Sequence, residues 1–370
     1  MPNQTTSGSQ EKISALILKA KSKTLLAPLE LFENLDILES YECWVPFFKL
    51  IERHIPSCEK RDDKLALYKS YIRAQNLHCR RQKDAISMCR KMISDLKMTF
   101  KEFSINIQPE ILDPTDPYGE ATFIKSIYKA FPNKKDRVAS LENLCLVYHK
   151  KFHDEKSLAG TYDLILSIDK TNIKALKYFK VYYTQSESWE SVVTVLEQLL
   201  RIAKNDDEKF RVALELAGIY LYQLQAPKKT LNILDKFCTS SSLDTNTLKY
   251  DSYLQLREWD KCLRLLDQAL SEVSEDHMRA SLYFRIGQIY KFKGNLEQAY
   301  KSHIKSSKFW PQLLEPIEEI AHMQVEQKNW HDLHITLEKL VHLVQGEDQQ
   351  LKLKSLKDVL ESCLKHVDQK

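Results

Sequence analysis

Apolar residues in this chain fall on one helical stripe after another. Leu141, Leu144, Cys145 and Tyr148 stand at i, i+3, i+4 and i+7, and so do Tyr283, Ile286, Gly287 and Tyr290. Such spacing gathers side chains on one face of a 3.6-residue helix. The stripes come in pairs. Leu176, Phe179 and Tyr183 are followed by Val192, Leu196 and Leu199, while Tyr250 and Tyr253 are followed by Cys262, Leu266 and Ala269. Leu216, Ala217 and Tyr220 open a further pair, whose second helix starts at Pro227, a residue suited to the first helical position. A tryptophan keeps time with the pairs: Trp189, Trp259 and Trp330 lie 70 and 71 residues apart, two units of about 35. A chain with that beat builds stacked helical hairpins, because one hairpin cannot bury its apolar face alone.

The clearest unit starts at Ala280. It places Tyr283, Ile286, Gly287, Tyr290, Gly294, Ala299, Ser306 and Pro311 at unit positions 4, 7, 8, 11, 15, 20, 27 and 32. Small residues at 8 and 20 let two helices approach, the aromatic at 11 fills the gap, and the proline stops the second helix. One unit later, Ala321 takes position 8, with Leu333, Leu337 and Leu340 at 20, 24 and 27. This pattern resembles the tetratricopeptide repeat, with His303 a departure at position 24, where the family places a bulky apolar group. Position 8 falls at 145, 180, 217, 250, 287 and 321, spacings of 35, 37, 33, 37 and 34. The resemblance covers about six repeats over residues 138–345. It implies an all-α fold, a right-handed superhelical solenoid of antiparallel helix hairpins. Lys180 and Tyr250 are not small, so their hairpins depart from the pattern.

The flanks are less regular. Trp44-Val45-Pro46-Phe47-Phe48, then Tyr68, Tyr71, Ala74, Ala85, Met88 and Met92, predict one or two divergent helical repeats over 11–103, behind a disordered tail at 1–10. Pro109, Pro114, Pro117 and Gly119 interrupt any helix over 104–120, which reads as a connector leading into the array at 121–345. Residues 346–370 alternate leucines with Lys and Asp and predict an amphipathic capping helix.

Composition sharpens this picture. Only 7 Gly and 11 Pro occur among 370 residues, against roughly 26 and 18 at average usage; long helices and short turns follow. Lys and Arg total 55 against 51 Asp and Glu, a net charge of +4 with a pI near 8.4, milder than a nucleic-acid-binding domain usually carries. The 8 cysteines are scattered without a CxxC pair, as expected of reduced core thiols. The start of the chain is polar and no stretch approaches 18 apolar residues, so a cytoplasmic protein without a membrane span is expected.

Catalytic signatures are missing. There is no GxGxxG, GxxxxGK[ST] or GxSxG, and seven glycines leave little material for phosphate-cradling loops. The expectation is therefore no enzyme and no cofactor. His149 and His153, or His331 and His334, have metal-ligand spacing but no further ligands beside them, so no metal is expected. Cys79 and Cys89 stand among Arg80, Arg81, Lys83, Arg90 and Lys91, the densest basic group in the chain. Cations lower a thiol's pKa, yet Cys89 lies between Met88 and Met92 on an apolar face, which predicts a packed thiol. The five cations are a possible polyanion contact.

In the family that this chain resembles, positions 2, 5, 9, 12 and 13 of successive first helices line a concave groove. Carried over, they give His149, Lys150, Lys174, Lys177, Arg211, Leu214, Leu221, Tyr222, Leu254, Phe284, Gln288, Lys291 and Phe292. Leu214, Leu221, Tyr222, Phe284 and Phe292 are the expected apolar anchors. The resemblance implies a non-catalytic adaptor or scaffold that binds a peptide or partner helix in this groove. No asparagine stands where family members that dock chaperones need one, so that mode is not expected. An RNA- or polyanion-binding repeat protein and a structural subunit of a larger assembly are the alternatives.

Overall fold

The computed structural model describes residues 7–22, 24–113, 115–238 and 242–367, and among these every regular element is a helix. The chain divides into two compact units, Met1–Ser186 and Glu187–Lys370.

The first unit holds α1 (Ser7–Lys21), α2 (Pro28–Ser40), α3 (Trp44–His54), α4 (Arg61–Arg73), α5 (Gln82–Asp95), α6 (Phe100–Asn106), α7 (Gln108–Ile111), α8 (Pro117–Ile127), α9 (Lys134–Val147), α10 (Glu155–Ile168) and α11 (Ile173–Gln185). Consecutive helices pack as hairpins, α4 on α5 and α9 on α10 among them. Its core is filled by Phe47, Tyr68, Phe103 and Phe131, all without solvent exposure. His54 fastens the entry to this core: Nε2 accepts the Leu26 backbone N–H at 2.8 Å, which leaves the proton on Nδ1, 2.8 Å from the Leu50 carbonyl.

Two expectations change here. Helix α1 begins at Ser7, inside the stretch expected as a tail, and residues 1–6 lie outside those described. The stretch 104–120 is packed into the first unit, and the change of unit comes at Ser186. The prolines explain why. Pro109 and Pro117 occupy the first turns of α7 and α8, where a missing N–H costs nothing, and Asp116 caps α8 by accepting the Gly119 N–H at 2.9 Å. Within this stretch Ile107, Ile111 and Leu112 are buried. Pro114 lies outside the described residues.

The second unit holds α12 (Trp189–Ile202), α13 (Asp206–Gly218), α14 (Pro227–Phe237), α15 (Leu243–Gln255), α16 (Trp259–Glu272), α17 (Asp276–Phe292), α18 (Leu296–Phe309), α19 (Leu314–Glu326), α20 (Trp330–Leu343) and α21 (Glu347–Val367). Each helix from α12 to α20 packs on the next, the arrangement of tetratricopeptide-like hairpins. The closing helix α21 lies on α20, with Leu353 and Leu360 against Leu333, Leu337 and Leu340.

One backbone device repeats. Glu42, Arg80, His153, Glu187, Gln225, Arg257, Gly294 and Lys328 all have positive φ, and each lies two residues before a helix. In four of these turns the next N–H reaches back five residues, from Cys43 to Leu38, Glu258 to Tyr253, Asn295 to Tyr290 and Asn329 to Gln324, at 2.8–2.9 Å; after Arg80 and Gln225 it reaches back six, to Gln75 and Tyr220 at 2.7 Å. This left-handed residue with a six-to-one bond ends the first helix of the hairpin. Trp44 belongs to the same series as the other three tryptophans, each opening a helix two positions after such a residue.

Three first helices, α4, α9 and α13, end in a π-turn: Ala74–His78, Tyr148–Phe152 and Ile219–Gln223. A π-turn inserts one residue. Position 8 and the left-handed residue are accordingly eight apart at 145/153 and 217/225, but seven apart at 250/257, 287/294 and 321/328.

Candidate interaction groove

In the first unit, α9 and α11 form the walls of a cavity of about 780 Å³ that is closed from one side by α10. From α9 come Glu142, Leu146 and His149, from α10 Leu158 and Tyr162, and from α11 Lys174, Tyr178, Val181, Tyr182 and Gln185. On α11, residues 174, 178, 181, 182 and 185 recur every three or four positions, so one face of that helix supplies them all. The opposite face buries Ala175, Leu176 and Phe179. Two purely apolar side chains stay open to solvent at the mouth, Leu146 at 53% and Val181 at 52%.

Three tyrosine rings run along the cavity. Tyr162 and Tyr178 stack at 4.3 Å between centroids and 24°, and Tyr178 and Tyr182 at 6.1 Å and 21°. Burial, then the neighbouring Cys145 and Glu142, push the Tyr162 hydroxyl up to about 12. Burial followed by Glu142 does the same to the Cys145 thiol, also to about 12. Both groups are thus protonated at neutral pH, and the cavity offers neutral aromatic and apolar surface without an activated nucleophile.

Charge sits at the rim. Lys174 Nζ on α11 pairs with Glu142 Oε2 on α9 at 2.6 Å. Lys177 is exposed and makes no ion pair among the described residues. Helix α11 carries three lysines and no carboxylate, and residues 134–186 hold ten basic against six acidic side chains.

The other expected groove residues lie in the second unit and are mostly engaged. Leu221 is buried, a correction to its expected role as an anchor. Counting from Ala217 ignores the residue inserted by the π-turn at Ile219–Gln223, which turns Leu221 inward and Tyr222 outward. Tyr222 is 52% exposed and donates its hydroxyl to Asp251 Oδ2 at 2.6 Å. Arg211 is exposed, and Leu214 is half-buried. Leu254 is half-buried against Trp259 and Ile286, and Phe284 is half-buried with its ring 5.5 Å from that of His303. Neither therefore offers the free surface expected of an anchor. Gln288 and Lys291 both bond Glu319, at 3.1 and 2.6 Å. Phe292 is exposed but stacks on Trp259 at 5.5 Å and 16°.

Arg80, Arg81, Lys83, Arg90 and Lys91 are all exposed. Arg90 is spent on the Ser126 carbonyl at 2.8–3.0 Å, and Arg80 shares a hollow with Asp113, Asp116 and Glu120. Arg80 thus faces carboxylates and Arg90 is held by a carbonyl, while Arg81, Lys83 and Lys91 make no ion pair among the described residues. Cys89 is fully buried, and burial drives its thiol far above the ordinary range. Among the described residues no three His, Cys, Asp or Glu side chains come together as a metal site. No helix is long and apolar enough to cross a membrane, again among the described residues.

Sequence reading missed Leu146, Val181 and the tyrosines. The usable signal was Tyr178 and Tyr182, four apart, beside rather than on the core stripe of Leu176, Phe179 and Tyr183.

No protein-family model and no curated protein sequence matches this chain. Solved structures do. MamA from Desulfovibrio magneticus is 16% identical, over 49% of this chain and 98% of its own, with a TM-score of 0.38. A tetratricopeptide repeat protein from Parabacteroides merdae is 17% identical, over 70% of this chain and 98% of its own, with a TM-score of 0.31. The likeness reaches no further than runs of helical hairpins, and the fold described above rests on this chain's own geometry.

Proposed function

We propose that this protein is a non-catalytic interaction scaffold that works in the cytoplasm and holds a segment of a partner protein in the cavity between α9 and α11. One observation carries the reading: two solvent-open aliphatic side chains, Leu146 and Val181, frame a stack of three tyrosines in a cavity of about 780 Å³. Apolar surface left open in a concave place is what a partner covers. Rigid aromatic rings give large contact area at small entropic cost, which suits them as anchors. The three lysines of α11, a helix without a carboxylate, favour a segment that carries carboxylates beside its apolar residues.

The lysines and tyrosines of α11 also support a second reading, in which bases stack on the rings and phosphates meet the lysines. Salt separates the two. Full-chain protein used as bait at low and high salt retains a protein partner at both if apolar contact dominates. Nucleic acid recovered only at low salt, with affinity falling steeply against log salt, transfers the site to the second reading.

A further inference from the structure

A different cleft opens in the second unit between α18 and α20, with α19 as its floor and a volume of about 710 Å³. Gln324, late in α19, bonds Tyr300, early in α18, so these helices run antiparallel. A short turn joins α19 to α20, and α18 and α20 therefore run parallel along the two walls.

That direction gives the cleft two chemically distinct ends. Tyr300, Gln324 and Asp332 lie at the end where α18 and α20 begin. Lys308, Lys339 and His342 lie at the end where those helices finish. Between them the floor is Ile317 and Ile320, both buried, and the walls carry Ile304 and the exposed Ile335. Lys308 and Lys339 make no ion pair among the described residues. The helix C-termini contribute about half a negative charge each, and two full lysine charges outweigh that.

The floor also holds an unmet need. Gln324 is 3% exposed, and its Nε2 donates to Tyr300 Oη at 3.2 Å while Oε1 has no partner. A buried amide oxygen without a donor is costly, and a ligand N–H would satisfy it. Fatty-acid chains bring no such donor. Tyr300 to Lys308 is eight helical residues, about 12 Å, and Asp332 to His342 is ten, about 15 Å. An extended chain at about 3.3 Å per residue spans that with four or five residues.

We infer that this cleft binds the last four or five residues of a partner protein, apolar in side chain and ending in a free carboxylate. The carboxylate lies between Lys308 and Lys339, an upstream backbone N–H meets Gln324 Oε1, and the side chains cover Ile304 and Ile335. This site is separate from the α9–α11 cavity and stands whether or not that cavity holds a partner.

The test uses the full chain in equilibrium dialysis against pools of N-acetylated pentapeptides with Leu, Ile, Val or Phe at each position. One pool has free C-terminal acids and the other amides, with laurate dialysed separately. The acids are expected to be retained, and amidation to weaken retention about tenfold or more, the loss of one charge-assisted contact. Lys339→Glu should remove the difference between acid and amide. Ile335→Glu should bring retention to background with an unchanged melting temperature, because Ile335 is exposed and supports no core. Equal retention of acids and amides, or none of either, overturns the inference. So does retention of laurate alone, if Ile335→Glu abolishes it, and the cleft then belongs to acyl carboxylates.

Discussion

A Cβ placed on Gly287 would stand 2.4 Å from Cε1 of His303. The imidazole of one helix thus lies directly on the bare backbone of the other, and Phe284 closes it in from the side, ring centroids 5.5 Å apart. His303 is fully buried and neither ring nitrogen has a partner. The contact explains both the glycine at position 8 and the odd histidine at position 24: each residue is the size that the other leaves room for.

Gly287→Ala is expected to destabilise the second unit by about 1–3 kcal/mol, the usual range for overpacking. Adding His303→Ala should recover part of that, so the double variant loses less than the two single losses together. Urea denaturation of the four proteins measures the coupling. Strict additivity would mean that the two residues do not meet.

Acid tests the same histidine. Burial, which outweighs the opposing pull of Glu319, lowers the His303 pKa from 6.5 to about 4. Between those values the unfolded chain binds a proton that the folded chain refuses, so stability falls as pH drops from 6.5 towards 4 and is fully present above 6.5. The loss is on the order of 3 kcal/mol if the shift is fully realised. His303→Leu should flatten the stability profile in that window, as read by denaturant midpoints at several pH values. An unchanged slope would assign the acid sensitivity to other groups.

The left-handed turn residues predict gains. A side-chain-bearing residue pays about 1–2 kcal/mol there, and glycine's extra entropy returns roughly half of the benefit. Glu187→Gly, Arg257→Gly and Lys328→Gly should each stabilise by about 0.5–1 kcal/mol. Gly294, at φ +76° with open space around it, should lose about 1 kcal/mol on substitution by Ala. Thermal melts of the four variants check the opposite signs.

The thiols of Cys89, Cys145 and Cys262 are buried, and burial raises the pKa of each. Alkylation of the native protein at pH 8, mapped by peptide mass spectrometry, should leave these three unmodified until denaturant is added. Rapid native labelling of Cys89 would revive the reading of a thiol activated by its basic neighbours.

Much of the fold was legible because hairpin packing writes itself into spacing. The pairs at Leu141–Tyr148 and Tyr283–Tyr290 needed only helical periodicity, and the beat of Trp189, Trp259 and Trp330 marked where second helices begin. The candidate site was legible only in part. Lys174 does line the cavity, but unit counting carried Leu221 to the wrong face, since nothing in the residues Ile219–Gln223 announces a π-turn. Whether an outward position is free depends on neighbours distant in sequence. Asp251 takes the Tyr222 hydroxyl from 29 residues away, and Glu319 takes Lys291 from 28. The prolines at 109 and 117 misled for a related reason: a proline ends one helix or starts another, and only the packing of Ile107 and Ile111 decides which.

The central claim is that the cavity between α9 and α11 holds a partner segment. A benzophenone amino acid at Val181, and separately at Leu29 on α2 as a still more exposed control, tests it most directly in cells that express the full chain. The account predicts light-dependent adducts from Val181 to one protein, mapping to one short apolar and acidic segment of it, with none of that protein captured from Leu29. Identical capture from both positions, or none from Val181, would contradict it.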